Sequence, residues 1–306
     1  MAKLLKIMAI VSGAMVAVGI IMVTIAVGMG VRNISSNIDF NFTGYENYFS
    51  NEDLDRVVIS DELSSADIRI GAGTVIISAG DCFSVEGDNI NSTLLKYSSD
   101  GENGEIRYET DTTGSSNLGI DKFFSWTCSA EDDFLPELRI TVPRDRLDSF
   151  RLDFGAGELK LAGVNAGEMK IKVGAGSSKI SDITADSLDI EAGFGEVDCE
   201  NVTAGSSDIK CGMGEMDFEN SHLANARFES GVGTVSYEGT LYGNSTLNIG
   251  LGDVYFEIDG RPEEYSVDVT PGVGSCYVEG GGQNSSADNK IKINGGAGSL
   301  TLDFED

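Results

Sequence analysis

Apolar and polar residues alternate along most of this chain, and across its centre the alternation restarts every 19 residues. A Gly-x-Gly motif marks each restart, and five successive intervals between motifs are 19 residues long. Alternation with a period of two predicts half-buried β-strands, and a fixed longer period predicts a stack of similar structural units. The nine motifs comprise Gly71 and Gly73, Gly155 and Gly157, Gly174 and Gly176, Gly193 and Gly195, Gly212 and Gly214, Gly231 and Gly233, Gly250 and Gly252, Gly272 and Gly274, and Gly296 and Gly298.

Aligning the nine repeats on their first glycine separates inward from outward positions. The third residue before that glycine is apolar in every repeat, and the fourth and sixth residues after it are apolar in nearly all of them. The second residue before it alternates in charge through five consecutive repeats, as expected of a solvent-facing ladder. These five residues are Asp153, Lys172, Glu191, Lys210 and Glu229.

The repeat predicts an all-β fold, a β-solenoid (β-helix-like) of about nine rungs, each rung being one repeat that pairs in parallel with its neighbours. Glycine is expected at the corner of each rung, because it adopts backbone angles that a Cβ forbids and lets adjacent rungs approach closely. The apolar residue between the two glycines is predicted to point inward. We predict that the domain spans residues 57–306, with an inserted hairpin region at about 80–145 and with Leu302 and Phe304 closing the stack.

The N-terminal segment predicts a membrane anchor. Residues 7–31 carry no charge and, at ~1.5 Å per residue, are long enough to cross a bilayer as a helix. This apolar run is longer than the core of a cleaved signal peptide, which is the competing interpretation. Residues 1–6 include two lysines and are predicted to remain in the cytoplasm. Residues 32–56, which are polar, are predicted to form a juxtamembrane spacer, so that the protein is a single-pass membrane protein with an extracellular ectodomain.

Charge and composition exclude several classes of function. The formal net charge is −29, which argues against nucleic acid as a partner because phosphate binding requires a basic face. The chain has one histidine, which leaves little material for His-ligated metals or His-based catalysis. We therefore predict no catalytic residues, no metal and no cofactor. A calcium ladder on acids such as Glu158 and Glu196 is the main rival to a solvated acidic face.

Five cysteines are present, and their positions suggest different roles. Cys199, Cys211 and Cys276 fall in inward-facing columns and are predicted to be small buried hydrophobic residues. Cys82 and Cys128 lie in or beside the insertion. A disulfide between them outside the cell, or two free thiols, are both compatible with the sequence.

The insertion also contains a cluster of aromatic residues, Phe123, Phe124 and Trp126. Such a cluster in a loop of a solenoid is a candidate contact for a sugar or a protein partner. Burial of the same side chains against the first rung is the competing interpretation, and the sequence leaves both open.

The repeat resembles the bacterial "putative adhesin" β-strand-repeat family, a domain of unknown function. Besides the strand, Gly-x-Gly, strand unit, the resemblance rests on the segments 138–143, Leu-Arg-Ile-Thr-Val-Pro, and 147–150, Leu-Asp-Ser-Phe. It covers roughly residues 57–306. The resemblance implies a toast-rack or β-helix-like fold in an envelope protein, with no established activity.

Two functions follow as hypotheses. The first is a membrane-anchored, non-catalytic binding or adhesion module whose partner is an envelope polymer or protein. The second is a regulatory or scaffold partner in an envelope-stress system, suggested by the small residues Gly13, Gly19, Gly28 and Gly30 of the predicted span, which favour close helix packing. An enzyme is not expected, because the short turns between strands bring no catalytic set together.

Overall fold

Residues 49–108, 136–279 and 286–305 are described by the structure, a computed structural model, and they are almost entirely β-strand. A single turn of 3₁₀ helix spans Pro262–Glu264. Within the described ranges no helix has the length and apolar character needed to cross a membrane; the predicted span at 7–31 lies outside them. The fourteen strands are β1 Phe49–Ser60, β2 Ser65–Gly80, β3 Phe83–Ile90, β4 Leu95–Ser99, β5 Asn103–Tyr108, β6 Glu137–Pro143, β7 Leu147–Ala162, β8 Asn165–Ala224, β9 Ala226–Tyr242, β10 Asn244–Asp259, β11 Tyr265–Thr270, β12 Val273–Val278, β13 Asn289–Asn294 and β14 Ala297–Glu305.

The repeats stack as parallel rungs in the register that the sequence predicts. Leu152 lies between Ile68 on one neighbouring rung and Ile171 on the other. Eight of the nine residues at this position are fully buried, and the ninth, Val269, is partly buried. Strand β8 is 60 residues long because its β-ladder pairing continues through three Gly-x-Gly corners and the turns between them. The all-β, solenoid-like fold is therefore confirmed.

Glycine is required at the corners because the backbones of successive rungs are almost in contact there. The second glycine has a φ between +123° and +147° in all nine motifs, a region that favours glycine. A Cβ built on Gly157 would lie 2.0 Å from the carbonyl oxygen of Gly73 on the neighbouring rung. Side chains at this position would both strain the backbone and separate the rungs.

A second corner, eight residues after the first glycine, is built by short polar side chains. Asp182, Asn201 and Asn220 have φ values of 55°, 57° and 48°. The Nδ2 of Asn201 donates to Oδ1 of Asp182 at 2.8 Å, and Asn220 donates to Asn201 in the same way. Asn and Asp tolerate this left-handed conformation better than other non-glycine residues, and the stacked amides stabilise the turn.

The inserted segment forms one end of the stack. Strand β5 places Ile106 beside Ile68, and β6 places Leu138 beside Val75, so the two strands together complete an additional rung before β2. Strands β1, β3 and β4 then cover this end through antiparallel pairing. Strand β1 begins at Phe49, within the segment predicted as a spacer.

The other end differs from the sequence prediction. We predicted that the C-terminal rung closes the stack, but β13 and β14 lie between β10 and the strands β11 and β12. The inner rung contributes Ile291, Ile293, Leu300 and Leu302, all 5% exposed or less. The outer rung has smaller residues at these columns, so the more apolar rung takes the position that is covered on both sides.

Two further predictions fail, one at this end of the stack and one along the row of glycine corners. Cys276 was predicted to be buried and is exposed, because none of the described strands covers the outer side of β12, whereas Cys199 and Cys211 are buried as predicted. The residue between the corner glycines was predicted to point inward. Ala156 is fully buried, but Val232 is 45% and Val273 80% exposed. A methyl group on the outer side of a corner stays close to the backbone, whereas larger side chains extend into solvent.

Candidate interaction surfaces

Two solvent-facing surfaces of the rungs differ sharply in charge. The paired face comprises the residues two and four positions before the first corner glycine of each rung. It holds seven acidic and seven basic side chains, and their formal charges cancel. These side chains are Asp67, Arg69, Arg151, Asp153, Lys170, Lys172, Asp189, Glu191, Asp208, Lys210, Arg227, Glu229, Asp268 and Lys292.

Ion pairs connect the paired face both within and between rungs. Arg151 Nη2 lies 2.9 Å from Asp153 Oδ2 in one rung, and Lys172 contacts Glu191 of the next. The side chains of Lys172 and Glu191 are 39% and 33% exposed. Pairs this exposed contribute ~0.2–1 kcal/mol each, so they specify the register of stacking more than they stabilise the fold.

The acidic face comprises the residues three, five and seven positions after the first corner glycine. It holds twelve carboxylates and two lysines, Lys160 and Lys179, which contact Glu158 and Glu200 at 2.8 and 3.0 Å. The face therefore carries an excess of ten negative charges in rows spaced ~4.8 Å apart. Its carboxylates are Glu158, Glu196, Asp198, Glu200, Glu215, Asp217, Glu219, Glu238, Asp253, Glu257, Glu279 and Asp303.

Burial, and then crowding by neighbouring acids, raises the pKa of two carboxylates on the acidic face, Glu215 and Asp217. The pKa of Glu215 is raised first by burial and then by the charges of Asp217, Glu196 and Asp198. The pKa of Asp217 is raised by burial and by Asp198 and Glu219, against a hydrogen bond from Ser236 that lowers it. Both effects disfavour the charged form, so the fold carries a cost for holding these anions together.

This cost predicts the pH dependence of stability. The folded-state pKa of Glu215 and Asp217 is raised, so the folded chain holds their protons more tightly than the unfolded chain does. The resulting contribution to the free energy of unfolding is fully present below the ordinary carboxyl range and is lost as the pH rises through the raised values. We expect the double variant Glu215→Gln and Asp217→Asn to be more stable than the parent at pH 7. Its free energy of unfolding should also fall less between about pH 4 and about pH 7. Urea unfolding at several pH values measures both.

Asp253 provides a control of opposite sign on the same face. Hydrogen bonds from the hydroxyl and amide of Ser299 lower the pKa of Asp253, so its stabilisation is present at neutral pH and is lost on acidification. Asp253→Asn should therefore destabilise the chain at pH 7. Equal responses of Asp253→Asn and the double variant would contradict the assignment of burial and crowding as the cause.

The other residues singled out in the sequence have separate outcomes. Phe123, Phe124, Trp126 and Cys128 lie outside the described residues. Cys82 is a buried free thiol, and the Arg56 side chain donates to its sulfur at 3.2 Å. Burial raises the pKa of Cys211 to about 11, which makes the thiolate unavailable at neutral pH. In the described ranges no three His, Cys, Asp or Glu side chains are arranged to hold a metal ion.

The sequence analysis missed one surface feature, a cluster of exposed apolar side chains near the last rungs. Of the eight large hydrophobic side chains exposed on the described part of the chain, six lie between residues 232 and 277. The column alignment contains part of the signal, since Tyr255 and Tyr277 stand where earlier rungs have charged or polar residues such as Lys179 and Asp198. These residues are Val232, Tyr242, Leu251, Tyr255, Val273 and Tyr277.

The solved structures that are similar to this chain include the following two. One is a protein from Clostridium sporogenes ATCC 15579 described as a "putative cell adhesion protein", with 12% identity over 83% of this chain and 100% of that one, and a TM-score of 0.25. The other is a "putative adhesin" from Bacteroides fragilis NCTC 9343, with 13% identity over 83% of this chain and 98% of that one, and a TM-score of 0.37. No curated protein matches the chain.

The sequence resemblance noted above is borne out at the level of the family. The family model described as Toastrack DUF4097 matches residues 55–302, which include every corner glycine, the paired face and all of the acidic face except Asp303. The repeating strand and Gly-x-Gly unit that builds the rungs is thus shared with a family whose function is not assigned. This chain belongs to the Toastrack DUF4097 family.

Proposed function

We propose that this chain is a non-catalytic binding module of the cell envelope, and that it engages its partner through the acidic face. The predicted span at 7–31 would hold the module at the membrane, with the rungs outside the cell. The partner that fits is a protein or polymer carrying regularly spaced cationic groups.

The observation that supports this proposal is the contrast between the two faces. The paired face neutralises itself with seven acids and seven bases, whereas the acidic face keeps an excess of ten negative charges. Burial and neighbouring acids raise the pKa of Glu215 and Asp217, so holding these two side chains as anions carries a cost in stability. Residues held against stability are typical of surfaces that serve binding, and charge complementarity would give such a surface both on-rate and specificity.

Non-catalytic action is proposed because of the shape of the acidic face. Its carboxylates alternate with buried residues such as Val197 and Cys199 along flat strands, so each projects outward from its own site in the sheet. General acid and base chemistry needs groups that converge on one substrate atom, and a flat ladder spreads them apart. A ladder is better suited to contacts with a partner at several points at once.

In-cell cross-linking of the full-length chain tests the proposal. A variant without four carboxylates of the acidic face should reduce recovery of the cross-linked envelope partner at least tenfold. Its substitutions are Glu196→Gln, Asp198→Asn, Glu215→Gln and Asp217→Asn. For the parent chain, recovery should fall as the salt concentration is raised. Replacing these four acidic-face carboxylates by amides, two of which have a raised pKa in the folded chain, should not unfold it, so a loss of binding would report on the surface.

A matched control removes four exposed carboxylates that lie off the acidic face. Asp61→Asn, Glu62→Gln, Asp145→Asn and Asp148→Asn change the net charge by the same amount. We expect this control to recover the partner as the parent does. Equal losses in the two variants would reduce the effect to net charge and would refute a specific role for the acidic face.

A further inference from the structure

The two ends of the rung stack treat their unpaired strand edges differently. At the β1 end, the edge strand carries Glu52, Asp53, Asp55 and Arg56, and charged residues prevent edge-to-edge pairing. At the other end, β11 pairs with β13 and β12 with β14, and neither has a second neighbour among the described strands. Strand β11 still carries one charge, Asp268, whereas β12 carries none.

Strand β12 is unusual for a chain with a net charge of −29. Its sequence, Val-Gly-Ser-Cys-Tyr-Val, contains no charged residue and no proline. Val273 is 80% and Tyr277 57% exposed, and Cys276 is exposed as well. A short uncharged strand of high β-propensity at an open edge is a ready template for pairing with another strand.

We propose that β12 pairs antiparallel with β12 of a second copy of this chain, about a twofold axis perpendicular to the face that β12 belongs to. A second copy fits because the strand is uncharged, so two strongly acidic chains can approach there without opposing charges. A cationic partner would instead be drawn to the acidic face. The twofold arrangement also closes the open edge, because each strand supplies the other with main-chain partners.

The sequence of β12 is complementary to itself in one antiparallel register. With the twofold axis at Ser275, Ser275 lies opposite Ser275 of the second copy, Gly274 opposite Cys276, and Val273 opposite Tyr277, so each pair shares one face of the sheet. An aromatic side chain opposite a β-branched one is a favourable cross-strand pair. The nearest carboxylate, Glu279, is kept more than about 20 Å from its copy because the two lie at opposite ends of the paired strands.

This self-association does not rest on the proposed binding function. It uses the terminal edge, whereas the proposed function uses the acidic face, and the two sets of variants share no residue. A failure of one proposal therefore leaves the other standing.

Thiol cross-linking of the purified full-length chain in detergent tests the pairing. In a Cys128→Ser background, Cys82, Cys199 and Cys211 are buried, so Cys276 is the accessible thiol. A short bis-maleimide should give a dimer, and Cys276→Ser should abolish it. In parallel, sedimentation equilibrium should show a dimer whose dissociation constant rises at least tenfold in the variant Val273→Lys and Tyr277→Lys.

A matched pair of substitutions controls for surface charge. Val232→Lys and Tyr255→Lys occupy the same two columns, at 45% and 46% exposure, on rungs that are paired on both sides. They should leave the dimer unchanged. If sedimentation equilibrium shows a monomer at all concentrations, the proposal is overturned, and the open edge of β12 would then be a candidate site for a strand of another protein. A dimer that lacks the Cys276 cross-link, or that tolerates Val273→Lys and Tyr277→Lys, would overturn it in favour of association elsewhere in the chain.

Discussion

Replacing Gly214 with alanine is expected to lower the free energy of unfolding by about 5 kcal/mol, at the upper end of what single substitutions do. Gly214 has a φ of +140°, and a Cβ there would lie 1.9 Å from the carbonyl oxygen of Gly195. The backbone strain contributes ~1–3 kcal/mol. The overlap between the new Cβ and the Gly195 carbonyl oxygen adds to this cost, because a main-chain oxygen cannot move away by changing a rotamer. Urea unfolding followed by far-UV circular dichroism measures the loss.

Gly101 separates the two causes. It also has a positive φ, +97°, but a Cβ built on it has no neighbouring atom within 4 Å. Gly101→Ala should therefore show the strain alone, about 1–2 kcal/mol. If Gly214→Ala cost no more than Gly101→Ala, close approach of the rungs would not be the reason for glycine at the corners.

Truncating Phe228 to alanine is expected to cost about 4 kcal/mol. Its ring is 4% exposed and packs edge-on against Phe218 and Phe256, with centroids 5.9 and 5.2 Å away. Those rings come from the rungs on either side. Because each rung in a stack contacts its neighbours alone, the cavity opens between three rungs that cannot collapse without breaking their ladders.

Tyr255 is the matched control for this truncation. It lies on the rung that carries Phe256, but its side chain is on the outer surface and is 46% exposed. Tyr255→Ala should change the free energy of unfolding by no more than about 0.5 kcal/mol. Thermal unfolding of the two variants beside the parent makes the comparison, and similar losses would contradict the placement of the aromatic cluster in the core.

The two proposed surfaces assign separate tasks to the side and the end of one stack. The acidic face presents carboxylates at the spacing of the β-ladder, and the edge of β12 offers main-chain partners. A dimer through β12 would place two acidic faces in one particle. Binding of a polyvalent partner would then gain from effective concentration without any new contact.

The repeat made much of the fold readable in advance. Columns such as Leu152 and Ile171 fixed which residues face the core, because a β-strand alternates its faces with a period of two and a 19-residue repeat aligns those faces between rungs. The glycine positions followed from the same alignment, since a recurring residue without a Cβ implies a recurring backbone constraint. The Asn201 and Asn220 ladder was equally visible at that period and was overlooked.

The charged ladder illustrates what the alignment could and could not give. Alternation at Asp153, Lys172 and Glu191 was read from one column, and the contact between Lys172 and Glu191 follows it. The neutrality of the whole paired face depends on a second column, four residues before the glycine. The excess on the acidic face became apparent when each set of columns was assigned to its own surface.

Periodicity in the amino-acid sequence was sufficient to establish the strand type, the inward columns, the corner glycines and the family. The order of the last rungs, the exposure of Cys276 and the use of β5 and β6 as an additional rung depended on folding in three dimensions. The physical reason is that a column pattern specifies whether a residue faces the core or the solvent. Because that pattern is the same in every rung, it does not specify the order in which the rungs stack. Which rungs become neighbours is decided by competition for coverage, in which Ile293 and Leu302 gain more from burial on two sides than Val269 and Val278.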